Sequence, residues 1–420
     1  MSFSEWREQK IGDLCTVKGG KRLPKGRNLT TNKTNHPYIR IRDMYQHKYI
    51  EENGELEYVD DQTFELIKRY IVDSGDIILA IVGNTIGLVS LIGKSLNKAS
   101  LTENCVKLID LKSVKPEFIY YYLITKSGQN EIKSKIVGTS QPKLPIYGVQ
   151  DIKIPVPPLN EQDGIVSTLS SLDDKIEVNN QINKTLENMA QAIFKQWFVD
   201  FEFPNEDGEP YKSSGGEMVE SELGMIPKGW EVVQFRDLFK FIKGKKPKII
   251  EECKFENSEK YLTIDVLNRN SVLFCSKEKV VEADSEDVLM VMDGASSGAL
   301  YFGQKGVVAS TLAKLELISK KISKKFLFYA LKYFENDIKT HTTGSAIPHT
   351  DKEYAYRLMI ALPNDISLQK KIDDLLSDIS DTFIAREQEN AILKAARDSL
   401  LPKLMSGEIR VPLDEQGDAS

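Results

Sequence analysis

Two short stretches hold the residues best suited to chemistry with a ligand: Lys18-Gly-Gly-Lys21-Arg22-Leu-Pro-Lys25-Gly-Arg27 and Lys243-Gly-Lys245-Lys246-Pro-Lys248. Glycines let a backbone come close to a phosphate, while Lys and Arg neutralise it and can donate to guanine edges. Either stretch alone is read as easily as a solvated loop. Both, however, stand at the same place in a repeated unit, which favours nucleic-acid contact.

Other chemistries find little support. Gly87-Leu-Val-Ser-Leu-Ile-Gly93-Lys94-Ser95 has five residues between its glycines where a phosphate-binding loop needs four, so a strand and turn is expected. No GxGxxG opens a βαβ unit, and Val156-Pro-Pro-Leu159 lacks the polar and aromatic residues that flank the Pro-Pro of amino-methyltransferase sites. His36, His47, His341 and His349 show no metal or triad spacing and read as loop histidines. Cys15, Cys105, Cys253 and Cys275 lie far apart with no CxxC pair, which argues against a disulfide framework or a zinc site. No catalytic residue, metal or cofactor is therefore assigned to this chain.

The elements that must position the basic stretches come in two copies. Trp6, Asp13, Leu14, Gly20 and Lys21 return 224 positions later as Trp230, Asp237, Leu238, Gly244 and Lys245. Asp76-Ile-Ile-Leu79, Gly83 and Gly87 return as Asp287-Val-Leu-Met290, Gly294 and Gly298. Ala99-Ser100 reappears as Ala309-Ser310, Phe118 and Tyr121 as Phe326 and Tyr329, and Gly138 with Pro142 as Gly344 with Pro348. An ordered series of this kind marks an internal repeat. Charge follows the same cycle. The 420 residues carry a net charge of −6, distributed as +5 over 1–157, −9 over 158–228, +3 over 229–362 and −5 over 363–420. Two mildly basic blocks thus alternate with acidic ones.

Each repeat closes on a heptad seam. In the first copy it runs Ile165, Leu169, Leu172, Ile176, Asn179, Asn183, Leu186, Ala190, Ile193 and Trp197. In the second, 207 positions on, it runs Ile372, Leu376, Ile379, Phe383, Arg386, Asn390, Leu393, Arg397, Leu400 and Leu404. A helix of about 38 residues is roughly 55 Å long, too long for a lone surface helix, so the two stripes are expected to pack together as an antiparallel coiled coil. Asn179 and Asn183 then face Asn390 and Arg386, a polar layer that fixes register. Asn160 is expected to cap the first helix and Asp365 or Ser367 the second, with Pro402 and Gly407 ending it.

The fold class expected is mixed α/β (α+β): two repeated blocks separated by two long helices, related by a pseudo-two-fold. The boundaries are 1–157 for the first block, 158–200 for the first helix, 201–228 for a polar linker, 229–362 for the second block, 363–407 for the second helix and 408–420 for a tail. Strands are expected over Tyr38–Arg42, Asp76–Val82 and Asp287–Met292, and helices over Phe118–Ser127 and Phe326–Phe334. No run approaches the ~18 apolar residues of a membrane span, and the N-terminus does not read as a signal peptide. A cytoplasmic protein is expected.

Four segments give the chain a family resemblance: Ile154-Pro-Val-Pro-Pro-Leu-Asn-Glu-Gln162, Lys195-Gln-Trp-Phe-Val-Asp-Phe-Glu202, Leu223-Gly-Met-Ile-Pro-Lys-Gly-Trp230 and Ser399-Leu-Leu-Pro-Lys-Leu-Met-Ser-Gly-Glu408. In these it resembles the specificity subunit of type I restriction-modification systems over essentially its whole length. Leu362-Pro-Asn-Asp-Ile-Ser-Leu-Gln369 departs from the usual Pro-rich Glu-Gln entry to the second helix. The resemblance implies two target recognition domains, each reading one half of a bipartite site in double-stranded DNA. It also implies two modification subunits that bind S-adenosylmethionine, and restriction subunits that use ATP and Mg, with none of these cofactors bound here. By position it adds further DNA-facing loops: Gly83-Asn84-Thr85 with its counterpart Ala295-Ser296-Ser297, and Thr139-Ser140-Gln141 with Ser345-Ala346-Ile347. Gln141 has no glutamine partner at Ile347, so the two halves should read different sequences. A non-catalytic coiled-coil scaffold that binds proteins is the competing reading, and salt-dependent DNA binding separates the two.

Overall fold

The structure is a computed structural model that describes residues 6–45, 48–52, 54–138, 140–268, 271–344 and 347–411. The chain forms two compact units, Met1–Ile176 with Ile392–Ser420, and Glu177–Ala391. The division cuts through both long helices, α1 (Leu159–Phe198) and α2 (Ile366–Met405). The helices are thus not domains of their own. Each unit consists of one block together with a part of each helix.

In unit 1 a five-stranded sheet carries β1 (Thr16–Gly19), β2 (Ile77–Ala80) and β3 (Cys105–Ile109), with β3 antiparallel to both of the others. A four-stranded sheet of short strands joins it, and Arg7–Lys10 pairs with Lys153–Val156. Ile77 and Leu79 of β2 are buried in one core with Phe118, Tyr121, Ile165 and Leu169, and Leu401, Leu404 and Met405 of α2 pack into that same core. Unit 2 repeats the plan with β4 (Phe239–Lys243), β5 (Val288–Val291) and β6 (Leu312–Leu317), where β6 is antiparallel to β4 and β5. Its core joins Ala190, Phe194 and Phe198 to Phe326, Ile372, Leu376 and Ile379. Each buried Leu, Ile or Phe stabilises by ~1.5–3 kcal/mol relative to exposure, which explains why the heptad positions hold both helices onto the blocks.

Within each unit the helix segments run antiparallel. In unit 1 Arg397 pairs with Asp173 at 2.9 Å and Arg410 pairs with Glu161. In unit 2 Asn179 Nδ2 donates to Asn390 Oδ1 at 2.9 Å, and Asn390 Nδ2 donates to Asn180 Oδ1 at 3.0 Å. The polar layer differs from expectation at one position. Asn183 Nδ2 donates to Glu387 Oε1 at 2.9 Å, whereas Arg386 pairs with Glu389 on its own helix at 3.0 Å. The Oδ1 atoms of Asn179 and Asn183 are buried without a hydrogen-bond partner.

Several local expectations are corrected. The strand from Tyr38 stops at Ile39, because Asp43 Oδ2 takes the Arg40 N–H at 2.7 Å and turns Ile41–Met44 into a 3-10 helix. The helix expected over Phe118–Ser127 breaks at Thr125, whose hydroxyl oxygen accepts from Gly128 N at 3.0 Å and starts a second helix, Lys126–Ser134. Helix α1 begins at Leu159, so Asn160 lies inside its first turn, and the Pro158 carbonyl accepts the first helical bond from Gln162 N. Asp365 does cap α2, accepting from Ser367 N at 2.8 Å. The stretch read as a polar linker is ordered: Phe201, Phe203 and Ile226 enter the unit 2 core, and Met218–Ser221 and Gly224–Pro227 form a hairpin. The near-miss phosphate loop is the strand Val89–Ile92 and a turn, and the N–H groups of Lys94 and Ser95 in that turn donate to Glu51.

Candidate nucleic-acid interface

The antiparallel register brings three loops of unit 1 to one end of its sheet. Gly19 at the end of β1 lies opposite Val106, and Ala80 at the end of β2 lies opposite Cys105, so the chain leaves both strands where β3 begins. Just beyond, Gly20 N donates to Cys105 O at 3.0 Å and Ile81 N to Asn104 O at 2.9 Å. The third loop joins through Leu144 N to Ile81 O at 2.9 Å and Gly83 N to Pro142 O at 3.2 Å. Unit 2 repeats this confluence. Gly244 N donates to Leu312 O at 2.9 Å, and Gly294 N donates to Pro348 O at 2.9 Å.

A glycine is required at the first bend of each unit. A Cβ on Gly20 would lie 2.6 Å from Leu101 O and closer still to Thr102 O, and one on Gly244 would lie 2.5 Å from Val308 O and closer still to Ala309 O. The second loops turn at Gly83 (φ 67°) and Gly294 (φ 108°), the left-handed region that glycine enters without penalty.

The side chains at these edges fall into three groups. Lys18, Lys25, Lys245 and Lys246 are exposed, as are Asn84, Ser140 and Gln141, while Ser296 is half-buried. A second group is partly engaged. Lys21 lies 5.5 Å from the Tyr70 ring centroid, and Arg22, largely exposed, pairs with Glu103 at 2.6 Å. Burial pushes the Glu103 carboxyl up, but hydrogen bonds led by that from Arg22 outweigh it and hold the group below the usual carboxylate range. Arg27 donates to Gln62 at 3.1 and 3.2 Å, and Lys248 pairs with Glu278 at 2.7 Å, so the far ends of both basic stretches are tied back to the protein. A third group works inside the loops. Thr85 Oγ1 donates to Val82 O at 2.9 Å, and Ser297, only 3% exposed, has two close carbonyl acceptors within reach of its one hydroxyl proton, Gly294 O at 2.7 Å and Pro348 O at 2.9 Å. Ser297 is therefore corrected from a DNA-facing candidate to a brace within the loop. Ser345, with Ala346 and Thr139, lies outside the described residues.

The structure adds two residues to which the sequence assigned no DNA-facing role, one of them a histidine expected only to lie in a loop. Lys143 and His349, each one residue after the repeated proline, sit at the confluence, bridged to Val82 in unit 1 and to Asp293 in unit 2. His349 Nδ1 lies 2.7 Å from Asp293 Oδ1, and Lys243 Nζ lies 3.4 Å from Asp293 Oδ2. The Gly-x-x-x-Pro repeat itself, carried one residue further, was the available signal for both positions.

Two units of one plan, each gathering glycine-bent, lysine-bearing loops at one sheet end, define a doubled recognition protein. The family model described as the type I restriction modification DNA specificity domain matches residues 3–188 and 227–395, and the chain belongs to that family. It is a DNA-recognition subunit of a restriction-modification complex and a non-catalytic one. Its family assembles with DNA and with other subunits of such systems. Among its relatives, the MjaIX specificity subunit of Methanocaldococcus jannaschii is 27% identical over 97% of this chain and 94% of its own length. The MjaVIII specificity subunit of the same organism is 34% identical over 43% of each chain. The fold is similar to the crystal structure of the S subunit from M. genitalium, with a TM-score of 0.53, 20% identity, and coverage of 95% of this chain and 96% of that one. Among the described residues no helix is long and apolar enough to cross a membrane.

Proposed function

We propose that each unit reads one half of a bipartite site in double-stranded DNA through its loop confluence, and that the paired helices dock two modification subunits. The observation that carries this reading is the recurrence of one loop geometry, bent at Gly20 and Gly244, with exposed lysines in both units. The phosphate contacts fall to Lys18, Lys21, Arg22 and Lys25 in the first unit and to Lys245 and Lys246 in the second. On this reading Asn84, Ser140, Gln141 and Ser296 meet base edges. Support for helix docking comes from α1, where Val178 and Met189, eleven residues apart and so on one helix face, are about half exposed. The layer of Asn179, Asn183 and Asn390, with Glu387 in the place expected of Arg386, sets helix register, its two unpartnered carbonyls being tolerated for specificity.

On this reading S-adenosylmethionine binds in the modification subunits, ATP and Mg in restriction subunits where those join, and the whole complex works in the cytoplasm. The test is an exchange of the first block for that of another family member, followed by methylation-sensitive sequencing of host DNA. One half of the methylated motif should change while the other stays. A swap that changes both halves, or neither, refutes the proposal.

A further inference from the structure

The two confluences share a backbone but not their central side chains. Where unit 1 has Val82, Lys143 and Gly19, unit 2 has Asp293, His349 and Lys243. A lone carboxylate at an edge that meets a polyanion is unfavourable, and Asp293 is not alone. One oxygen faces His349 Nδ1 at 2.7 Å and the other faces Lys243 Nζ at 3.4 Å. The charged groups at the imidazole come from two elements: Asp293 from the loop after β5 and, behind it, Lys243 from the end of β4, while uncharged Thr343 of the adjoining two-residue strand reaches the His349 main-chain carbonyl at 3.5 Å. The ring also lies beside Gly344, where a Cβ would stand 3.0 Å from His349 Cδ2.

This arrangement selects a tautomer. A carboxylate can only accept, so Nδ1 carries the proton and donates to Asp293. In the neutral ring Nε2 then presents a lone pair, and it has no hydrogen-bond partner among the described residues. An outward acceptor is unsuited to a phosphate, which offers only acceptors. It is suited to an exocyclic amino group, and in the major groove only adenine N6 and cytosine N4 supply one. Lys143 at the same place in unit 1 has three donors and no acceptor, and so suits guanine O6 and N7, thymine O4 or a phosphate.

We infer that His349 is a specificity-determining residue of the second unit, its acceptor face set by Asp293, and that it selects adenine or cytosine at one position of the second half-site. Asp293 acts through His349 as a positioning residue, and Lys243 neutralises it. The inference rests on the proposed DNA-reading role of the loop edge.

The test is selection of bound duplexes from a randomised double-stranded pool by the full-length chain, with the recovered half-sites sequenced. The unaltered chain should favour adenine or cytosine at one second-half position by about five- to tenfold, the scale of one good base contact. His349→Leu should abolish that preference, and His349→Lys should move it to guanine or thymine. Asp293→Asn, which no longer dictates the tautomer, should relax the preference without moving it. The other positions of the second half-site, unchanged throughout, report that unit 2 of each variant is folded. If these variants select the same second half-site as the unaltered chain while Lys245→Ala/Lys246→Ala weakens binding there, the inference fails and the loop edge stands. If Lys245→Ala/Lys246→Ala also leaves the second half untouched, the edge itself is misassigned and the inference falls with it.

Discussion

The tryptophans that open the two blocks, Trp6 and Trp230, occupy equivalent positions and are held by opposite chemistries. In unit 1 the indole Nε1 donates to Glu161 at 2.9 Å, and the Arg410 guanidinium lies 4.8 Å from the ring centroid while also pairing with Glu161. In unit 2 Phe203 stacks on Trp230 at 5.0 Å and Phe201 meets it edge-on at 5.6 Å. Arg410 and Phe203 stand 207 positions apart, as do Leu368 and Glu161. The repeat has therefore kept the place that must be filled and let an ion pair or an aromatic stack fill it. The reading edges show the same pattern, with glycines and prolines repeated while Lys143 and His349 differ. Backbone geometry is held in common where side-chain chemistry is free to give each unit its own role.

The comparison is broken most severely at the shared glycines. Gly20→Ala or Gly244→Ala forces a Cβ against backbone oxygens that cannot swing away. Each should cost about 3 kcal/mol and remove DNA binding by its own half-site alone, seen as lost footprint on that half. Normal binding by either variant would show that the close approach is not needed.

Next come the two clasps. Phe203→Ala should destabilise unit 2 by about 3 kcal/mol regardless of salt. Arg410→Ala should destabilise unit 1 by roughly 2 kcal/mol, because it leaves the buried Glu161 carboxylate with a reduced set of partners. Hydrogen exchange resolved by unit, at low and high salt, measures both. A salt-dependent clasp in unit 2, or an exchange pattern that opens both units equally, would undo the contrast.

A smaller effect separates Asp76 from its counterpart Asp287. Both accept from a backbone N–H three residues earlier, at 2.9 and 3.0 Å. Burial raises the Asp76 carboxyl above the usual range. Burial also pushes Asp287 up, but Lys324, the Asp284 N–H and the charge of Lys314 more than offset it and hold the group low. Asp287 thus contributes stability that is present above the ordinary carboxylate range and lost as pH falls through its lowered value, whereas Asp76 contributes the reverse. Asp287→Asn should cost unit 2 about 1–2 kcal/mol near neutral pH and flatten its acid dependence. Asp76→Asn should be nearly neutral there. Urea unfolding between pH 3 and 7, followed by unit, checks the pair.

Much of this architecture was legible because repetition and heptad spacing are long-range patterns that local detail does not disturb. The seam positions lie on the buried or half-buried side of α1 and α2, and Asn179 meets Asn390 as the antiparallel register requires. What the pattern missed depends on neighbours in space. Asn183 takes Glu387 from a position flanking the seam, which a reading of seam residues alone does not weigh. The segment after Phe198 looked like a linker because its acids and glycines outnumber three decisive apolar residues, Phe201, Phe203 and Ile226, that Trp230 and the unit 2 core gather up. Ser297 and His349 are both polar loop residues by composition. Only the paired carbonyls of Gly294 and Pro348, and the carboxylate of Asp293, show that one faces inward and the other presents an acceptor.

The measurement that tests the central claim most directly is footprinting of the full-length chain on its own bipartite duplex, comparing Lys21→Ala/Arg22→Ala with Lys245→Ala/Lys246→Ala across a salt series. Each pair should weaken protection of one half only, a different half for each. Each should also reduce the slope of log affinity against log salt by about one per lost phosphate contact. Equal weakening of both halves by either pair, or unchanged protection by both, would contradict the account.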